Sequence, residues 1–252
     1  MILDAFRLDN KVALVTGCNR GLGAALALAM AEAGADVAGV YNTTAKGVGE
    51  KVEGLGRRFL GIQADIGRPG VAEDIVEQAV AALGTVDILI NNAGIIRRND
   101  ALDFTASDWD DVMDVNLRGL FFLTQAAARR MVVQGKGKVI HVASMLSYQG
   151  GIRVSSYTAS KSAVMGLTRL MANEWAARGV NVNAIAPGYM ATDNTAALRA
   201  DAERNRQILE RIPAGRWGQP EDLKGCAVFL ASAASDYLHG FTIAVDGGWL
   251  AR

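Results

Sequence analysis

The 252-residue sequence predicts an α/β fold, a doubly wound parallel sheet of about seven strands built as one domain over residues 1–252. Two patterns predict it. Short apolar runs of β character alternate with longer alanine-rich stretches of helical period, which is how a parallel sheet covered by helices on both faces reads in sequence. Glycines also gather where the first such run gives way to the first helical stretch, at Gly17, Gly21 and Gly23. Half of the residues are hydrophobic, which is enough to bury a core of that size.

The elements follow in order. The run Val12–Thr16 is a buried strand, and the Ala/Leu-rich stretch Leu22–Ala33 is the helix that follows it. Val37–Tyr41 and Phe59–Gln63 are the next strands, and Gly70–Leu83 has helical period. Ile88–Ile90 is a short strand, followed by a long helical stretch at Ser107–Val133. Lys138–Ala143 and Asn181–Ile185 are strands on either side of the helix Thr158–Ala177, and Pro220–Ser232 is the helix before the last strand, Thr242–Val245. Right-handed crossovers place every strand's C-terminal end on one edge of the sheet, where ligands bind in open α/β sheets. The least patterned stretch is Gly188–Pro213, predicted to be a mobile insertion over that edge.

Composition excludes several functions. Twenty-six basic residues balance 26 acidic ones, so no basic surplus favours nucleic acid. Two cysteines, Cys18 and Cys226, make no disulfide framework, and two histidines, His141 and His239, leave little material for a metal site or a histidine triad. No metal is expected. The start of the chain has an early acid, Asp4, and no long apolar core, so no secretion signal is expected. The most apolar helix is too short to span a bilayer. These features predict a soluble cytoplasmic protein.

Three motifs carry the chemistry. In Thr16-Gly17-Cys18-Asn19-Arg20-Gly21-Leu22-Gly23, a strand precedes the glycines and a helix follows. Glycine lets the backbone turn tightly and lets a pyrophosphate approach, while the helix N-terminus offers unpaired N–H groups. In Ser155-Ser156-Tyr157-Thr158-Ala159-Ser160-Lys161, Tyr157 and Lys161 share a helix face at i, i+4. A phenol has a pKa of about 10, and an ammonium held nearby is expected to lower it, so that the tyrosine exchanges a proton with a substrate hydroxyl or carbonyl. Ser144 follows the strand Lys138–Ala143 and so emerges at the ligand edge, able to hydrogen-bond a developing alkoxide. The third motif is Asn91-Asn92-Ala93-Gly94. The three together describe a nicotinamide-dependent carbonyl/alcohol oxidoreductase.

With Gly-x-x-x-Gly-x-Gly, Asn-Asn-Ala-Gly, Ser144 and Tyr-x-x-x-Lys in this order, the chain resembles the short-chain dehydrogenase/reductase family over nearly its whole length, Val12 to Gly248. The resemblance implies a Rossmann-like sheet and a catalytic set of Asn116, Ser144, Tyr157 and Lys161. In it Lys161 also contacts the nicotinamide ribose, and Asn116 holds a water in a proton relay. Asn116 alternatively only satisfies backbone. The implied cofactor contacts are Gly17, Asn19, Arg20, Gly21, Leu22 and Gly23 in the loop, Asp65 and Ile66 near the adenine, and Asn92, Ala93 and Gly94 beside the cofactor. Tyr157, Lys161, Pro187, Gly188 and Thr192 complete that set, with Ile185 against the carboxamide. Asp65 alternatively caps the helix starting near Gly70. The place where NAD-preferring members keep an acid reads Val40-Tyr41-Asn42-Thr43, and Arg20 sits where NADP-preferring members keep a base. The closer subgroup is nonetheless usually NAD-linked, and the reading taken is NAD ahead of NADP.

That subgroup is the sugar-acid dehydrogenases described as 2-deoxy-D-gluconate 3-dehydrogenase or 2-dehydro-3-deoxy-D-gluconate 5-dehydrogenase. Three strings resemble it: 95–101, 145–154 and 245–252. A sugar acid needs a cation for its carboxylate, and arginine grips one bidentately. Arg97, Arg98 and Arg153 are the candidates, with Gln149, Ser144 and Tyr157 toward the hydroxyls; the arginines alternatively pair with acids such as Asp100 and Asp103. The alternative functions are an NADPH-dependent 3-oxoacyl-carrier-protein or other ketone reductase, and a non-catalytic dinucleotide-binding scaffold. The resemblance also implies a homotetramer, with Trp249 and Leu250 at a subunit contact or, for Trp249, packed on its own core.

Overall fold

In the computed structural model, which describes residues 1–44 and 47–252, the apolar runs form seven parallel strands in the order β3-β2-β1-β4-β5-β6-β7. These are β1 (Val12–Thr16), β2 (Asp36–Tyr41), β3 (Phe59–Gln63), β4 (Ile88–Asn91), β5 (Gly137–Val142), β6 (Val180–Pro187) and β7 (Thr242–Val245). The order reverses between β1 and β4, which pair in parallel through Ala13–Val15 and Ile88–Ile90. A reversal of this kind opens a crevice at the strands' C-terminal edge.

Successive side chains of a strand point to opposite faces, and β1 shows how each face is filled. Ala13 and Val15 join Leu26, Ala27 and Met30 of α1 (Gly21–Glu32) on one side, together with Val48 and Val52 of the short α2 (Val48–Gly54). Val12 and Leu14 join Ile75, Val76 and Ala79 of α3 (Val71–Leu83) on the other. The long stretch predicted as one helix over Ser107–Val133 is α4 (Ala106–Met113), a π-helical segment Asp114–Gly119, and α5 (Leu120–Gln134). A Cβ on Gly119 would strike the Ile66 carbonyl, so only glycine lets this segment lie so close to the loop after β3. Leu123, Ala127 and Met131 of α5 and Met171 and Ala172 of α6 (Ser155–Trp175) complete the second face.

The stretch Gly188–Pro213, the least patterned in sequence, is largely helical: α7 (Ala196–Ala200) and α8 (Ala202–Arg211). Ile208 and the following Ile212 bury against Met145, Trp217 and Trp249. Trp249 therefore packs on its own chain and is only 4% exposed. The last helix, α9 (Lys224–Ala231), returns to the α1 face through Leu230 and Ala227. Among the described residues no helix is long and apolar enough to cross a membrane, and no cluster of His, Cys, Asp and Glu can hold a metal.

Candidate active site

A cleft of about 360 Å³ opens at the C-terminal edge between β1 and β4. Gly17, Asn19, Arg20, Gly21, Leu22 and Gly23 form one wall. Gly17 and Gly21 have φ of +65° and +51°, a region that L side chains rarely enter, and a Cβ on Gly23 would collide with the Gly17 carbonyl. The first turn of α1 carries no side-chain cap, so its N–H groups face the cleft without a partner from the cap residue. Asn92 staples this loop to β4: its Nδ2 donates to Thr16 O at 2.9 Å and Gly17 O at 3.3 Å, while Thr16 Oγ1 accepts from the N–H groups of Asn92 and Ala93. A tightly packed glycine turn that leads into bare N–H groups at a helix N-terminus fits a dinucleotide pyrophosphate.

Asp65 and Ile66 line the same cleft beside Val40, Tyr41, Asn42 and Thr43. Asp65 accepts from the Gly67 N–H at 3.0 Å and lies 3.6 Å from Arg68, and α3 begins only at Val71, so Asp65 is not its cap. Asn19 donates to Thr44 O at 3.1 Å, which ties the glycine loop to the end of β2. Thr192 lies opposite the loop, where a Cβ on Gly21 would meet its Cγ2 at 3.6 Å. Pro187 ends β6, buried, whereas Gly188 lines a separate cavity of about 220 Å³ with Met190, Arg216 and Asp246.

At the other end lie Asn92, Ala93, Gly94, Ile95, Tyr157 and Lys161. The first two turns of α6 present Tyr157 and Lys161, with the Lys161 ammonium 5.7 Å from the tyrosine ring centroid. Lys161 Nζ donates to the Val142 carbonyl at 2.6 Å, and burial pushes its pKa down to about 8. Tyr157 departs from the sequence expectation. Although it keeps some surface in the cleft, burial raises its pKa above the usual phenol value; the Ser144 hydroxyl and then the Arg98 charge pull it back, and Lys161 is not among the causes. The physical reason is that the cost of burying the phenolate outweighs the help from its neighbours, and Lys161 directs an N–H to the Val142 carbonyl.

Ser144 follows β5 and accepts from the Leu146 N–H at 3.1 Å. Asn116, wholly buried in the π-helical segment, holds the Ile95 backbone from both sides: its Oδ1 accepts from the N–H at 2.8 Å and its Nδ2 donates to the C=O at 2.9 Å. It thereby fixes the loop after β4, and a Cβ on Gly94 would come within 3.3 Å of it and 3.8 Å of Lys161 Nζ.

The three candidate arginines separate. Arg97 is paired with Asp111 at 2.9 Å and Asp108 at 3.6 Å. Arg153, held at φ +63°, is paired with Asp100 at 3.2 Å. Arg98 meets a backbone oxygen, that of Asn194 at 3.3 Å, and is the one whose charge reaches Tyr157. Gln149, expected to reach substrate hydroxyls, has its Oε1 taken by Trp249 Nε1 and Arg211, both at 3.2 Å, with Arg211 stacked 4.0 Å over the Trp249 ring. The sequence reading missed Asp193 and Asn194, which line the cleft; they fall in the unpatterned stretch and carry no motif.

Residues 17–250 match the family model described as Enoyl-(Acyl carrier protein) reductase. The chain belongs to the short-chain dehydrogenase/reductase family. As a short-chain dehydrogenase/reductase it is an NAD(P)-dependent oxidoreductase acting on CH–OH groups. Among its relatives, the 2-dehydro-3-deoxy-D-gluconate 5-dehydrogenase of Dickeya dadantii (strain 3937) is 62% identical over 253 residues, covering 100% of both chains. The enzyme of the same name from Escherichia coli (strain K12) is 60% identical, again over 100% of both. The crystal structure of a gluconate 5-dehydrogenase from Burkholderia cenocepacia J2315, in complex with NADP and tartrate, has a TM-score of 0.96 at 40% identity and covers 100% of each chain.

Proposed function

We propose that this short-chain dehydrogenase/reductase moves a hydride between a nicotinamide dinucleotide and a secondary hydroxyl or ketone of a small sugar acid, of the 2-deoxy-D-gluconate or 2-dehydro-3-deoxy-D-gluconate type. The observation that carries the substrate class is Arg98, a guanidinium that has no carboxylate partner among the described residues and whose charge acts on Tyr157. A carboxylate seated on Arg98 holds its carbon chain beside the phenol. The relatives named for sugar-acid dehydrogenation support the same class.

The bound dinucleotide supplies the hydride acceptor or donor. Tyr157 takes the proton of the substrate hydroxyl as the carbon gives up hydride, and returns it in the ketone direction. Ser144, which already favours the phenolate, hydrogen-bonds the same substrate oxygen as charge develops on it. Lys161 positions the ribose and carries protons away from Tyr157, and Asn116 keeps the 94–95 backbone in register for that transfer. The cradle of Gly17, Gly21 and Gly23 holds the pyrophosphate under Thr192, with Asp65 and Ile66 toward the adenine. We extend the cofactor reading from NAD to NADP: no carboxylate stands at 40–43, Arg20 lines that end of the cleft, and a relative binds NADP.

The protein acts as a homotetramer in this proposal. Trp109 of α4, Phe122 of α5, Leu170 of α6 and Phe241 before β7 are large exposed apolar side chains on the helices and edge that family members pair; sedimentation at micromolar concentration checks this. Both cysteines are free thiols, which supports a reducing, cytoplasmic setting.

The deciding experiment measures NADH and NADPH formation with 2-deoxy-D-gluconate and with simple secondary alcohols. Replacing Arg98→Ala is expected to raise KM for the sugar acid by about 10–100-fold, the worth of charge-assisted hydrogen bonds to a carboxylate. KM for simple alcohols changes little, their oxidation rate falling only as the Tyr157 phenolate loses the support of Arg98, and Arg97→Ala and Arg153→Ala have smaller effects on KM. Inactivity on sugar acids with NADPH-dependent reduction of a 3-oxoacyl thioester overturns the substrate assignment.

A further inference from the structure

The ribose end of the cleft has no carboxylate on the strand that ordinarily supplies one, yet a carboxylate does reach it from elsewhere. Asp193, in the turn that follows Thr192, forms an ion pair with Arg20: Nη1 donates to Oδ2 at 3.1 Å. Both residues line the cleft, and 173 positions of sequence separate them. Arg20 lines the same cleft as Asn42 and Thr43 after β2, and the preceding Asn19 is bonded to Thr44, so the loop that carries Arg20 is tied to the segment that flanks a ribose 2′ substituent. Both side chains remain well exposed, at 61% and 76%, so a competing anion can reach either of them.

We infer that Asp193 is a cofactor-specificity residue, one that withholds Arg20 from a 2′-phosphate and so tempers the enzyme's affinity for NADP(H) relative to NAD(H). The inference rests on the dinucleotide reading of the cleft. A 2′-phosphate that engages Arg20 meets a guanidinium already partly neutralised by a carboxylate and must compete with it, whereas a 2′-hydroxyl asks nothing of the guanidinium. A second contact ties down the same turn: Arg98 donates to Asn194 O at 3.3 Å. The pair thus answers the absence of an acid at 40–43. Discrimination comes not from a carboxylate on the ribose hydroxyl but from one that neutralises the local cation.

The test is a fluorescence titration of reduced nicotinamide, giving dissociation constants of NADPH and NADH for wild type, Asp193→Asn, Arg20→Ala and the double variant, with no substrate present. Asp193→Asn removes charge and keeps shape at an exposed position, so the fold is retained, and a thermal unfolding curve confirms it. NADPH is expected to bind about 5-fold more tightly to Asp193→Asn, equivalent to about 1 kcal/mol, with NADH within about twofold of wild type. That gain should vanish in the Arg20→Ala background. Equal changes for both cofactors, or a gain that survives without Arg20, overturn the role of Asp193 while leaving the cleft's dinucleotide reading intact. Failure of wild type to bind either cofactor overturns both.

Discussion

Tyr157 illustrates how much of an active residue's behaviour is set by neighbours that spacing does not reveal. Burial raises its pKa, Ser144 and Arg98 lower it, and the net direction is upward. At neutral pH the phenol is therefore protonated, ready to act as an acid toward a ketone but not as a base toward an alcohol. The rate of alcohol oxidation is expected to climb with pH, by up to about tenfold per unit while the phenol is still protonated, and ketone reduction should fall only where that proton is lost. Removing the Arg98 charge in Arg98→Ala should move the oxidation limb to higher pH, because one of the two groups that stabilise the phenolate is gone. A pH–rate profile in each direction checks both statements, and a flat oxidation limb would contradict them. Tyr157→Phe should lose about 10²–10⁴ in rate while keeping its affinity for NADH. Tyr157, Lys161, Ser144 and the glycines are legible in sequence because local spacing and strand order place them. Asp193 and Arg211 are not, because their partners are brought to them by the fold from 173 and 62 positions away.

At the scale of elements, strands and long helices follow from their apolar period, and the departures have local physical causes. Helix α8 looked like loop because its sequence, AERNRQILER, carries few apolar residues. Its stability comes from elsewhere: Asp201 caps the N–H groups of Glu203 and Arg204, and Arg206 bridges Glu203 and Glu210. Only Ile208 is buried within it. The π-helical break at Asp114–Gly119 was equally hidden, since Asn116 turns inward to the Ile95 backbone rather than following the helical stripe. The β1–loop–α1 junction was fully legible and is the most exacting. In Gly23→Ala the new methyl meets the Gly17 carbonyl and Asn92 Nδ2, so the helix must shift off the loop. The expected outcome is a loss of about 1–3 kcal/mol in stability, the usual cost of overpacking, together with weakened NADH and NADPH binding. Chemical denaturation and the same fluorescence titration measure the two effects; unchanged affinity would mean that the loop does not carry the pyrophosphate.

The whole molecule is bound across its layers by a buried polar chain that the proposed catalysis does not use. His141, on β5 and wholly buried, has Nδ1 3.0 Å from Thr168 Oγ1 on α6 and Nε2 3.3 Å from Thr124 Oγ1 on α5. Each threonine hydroxyl also lies within reach of a carbonyl one turn back, Val164 O for Thr168 and Leu120 O for Thr124, and the neutral ring, with a single N–H, donates to only one of the two. Thr124 also accepts from Asn91 Nδ2 on β4. Burial, with a smaller contribution from the Lys161 charge, pushes the His141 pKa down to about 3 from an ordinary 6.5. The folded protein therefore keeps this ring neutral through a range in which the unfolded chain binds a proton. By linkage, stability is at its full value above pH 6.5 and falls as pH drops toward 3, with a slope approaching about 1.4 kcal/mol per pH unit. Ordinary carboxylates titrate mostly below pH 5, so between pH 6.5 and 5 the slope isolates His141. Urea denaturation at half-unit intervals over that range should show this decline in wild type. In His141→Gln, which keeps a polar group between the two threonines but cannot titrate, the decline should be largely removed whatever the overall loss of stability. A variant that retained the wild-type slope would place the acid sensitivity elsewhere in the molecule.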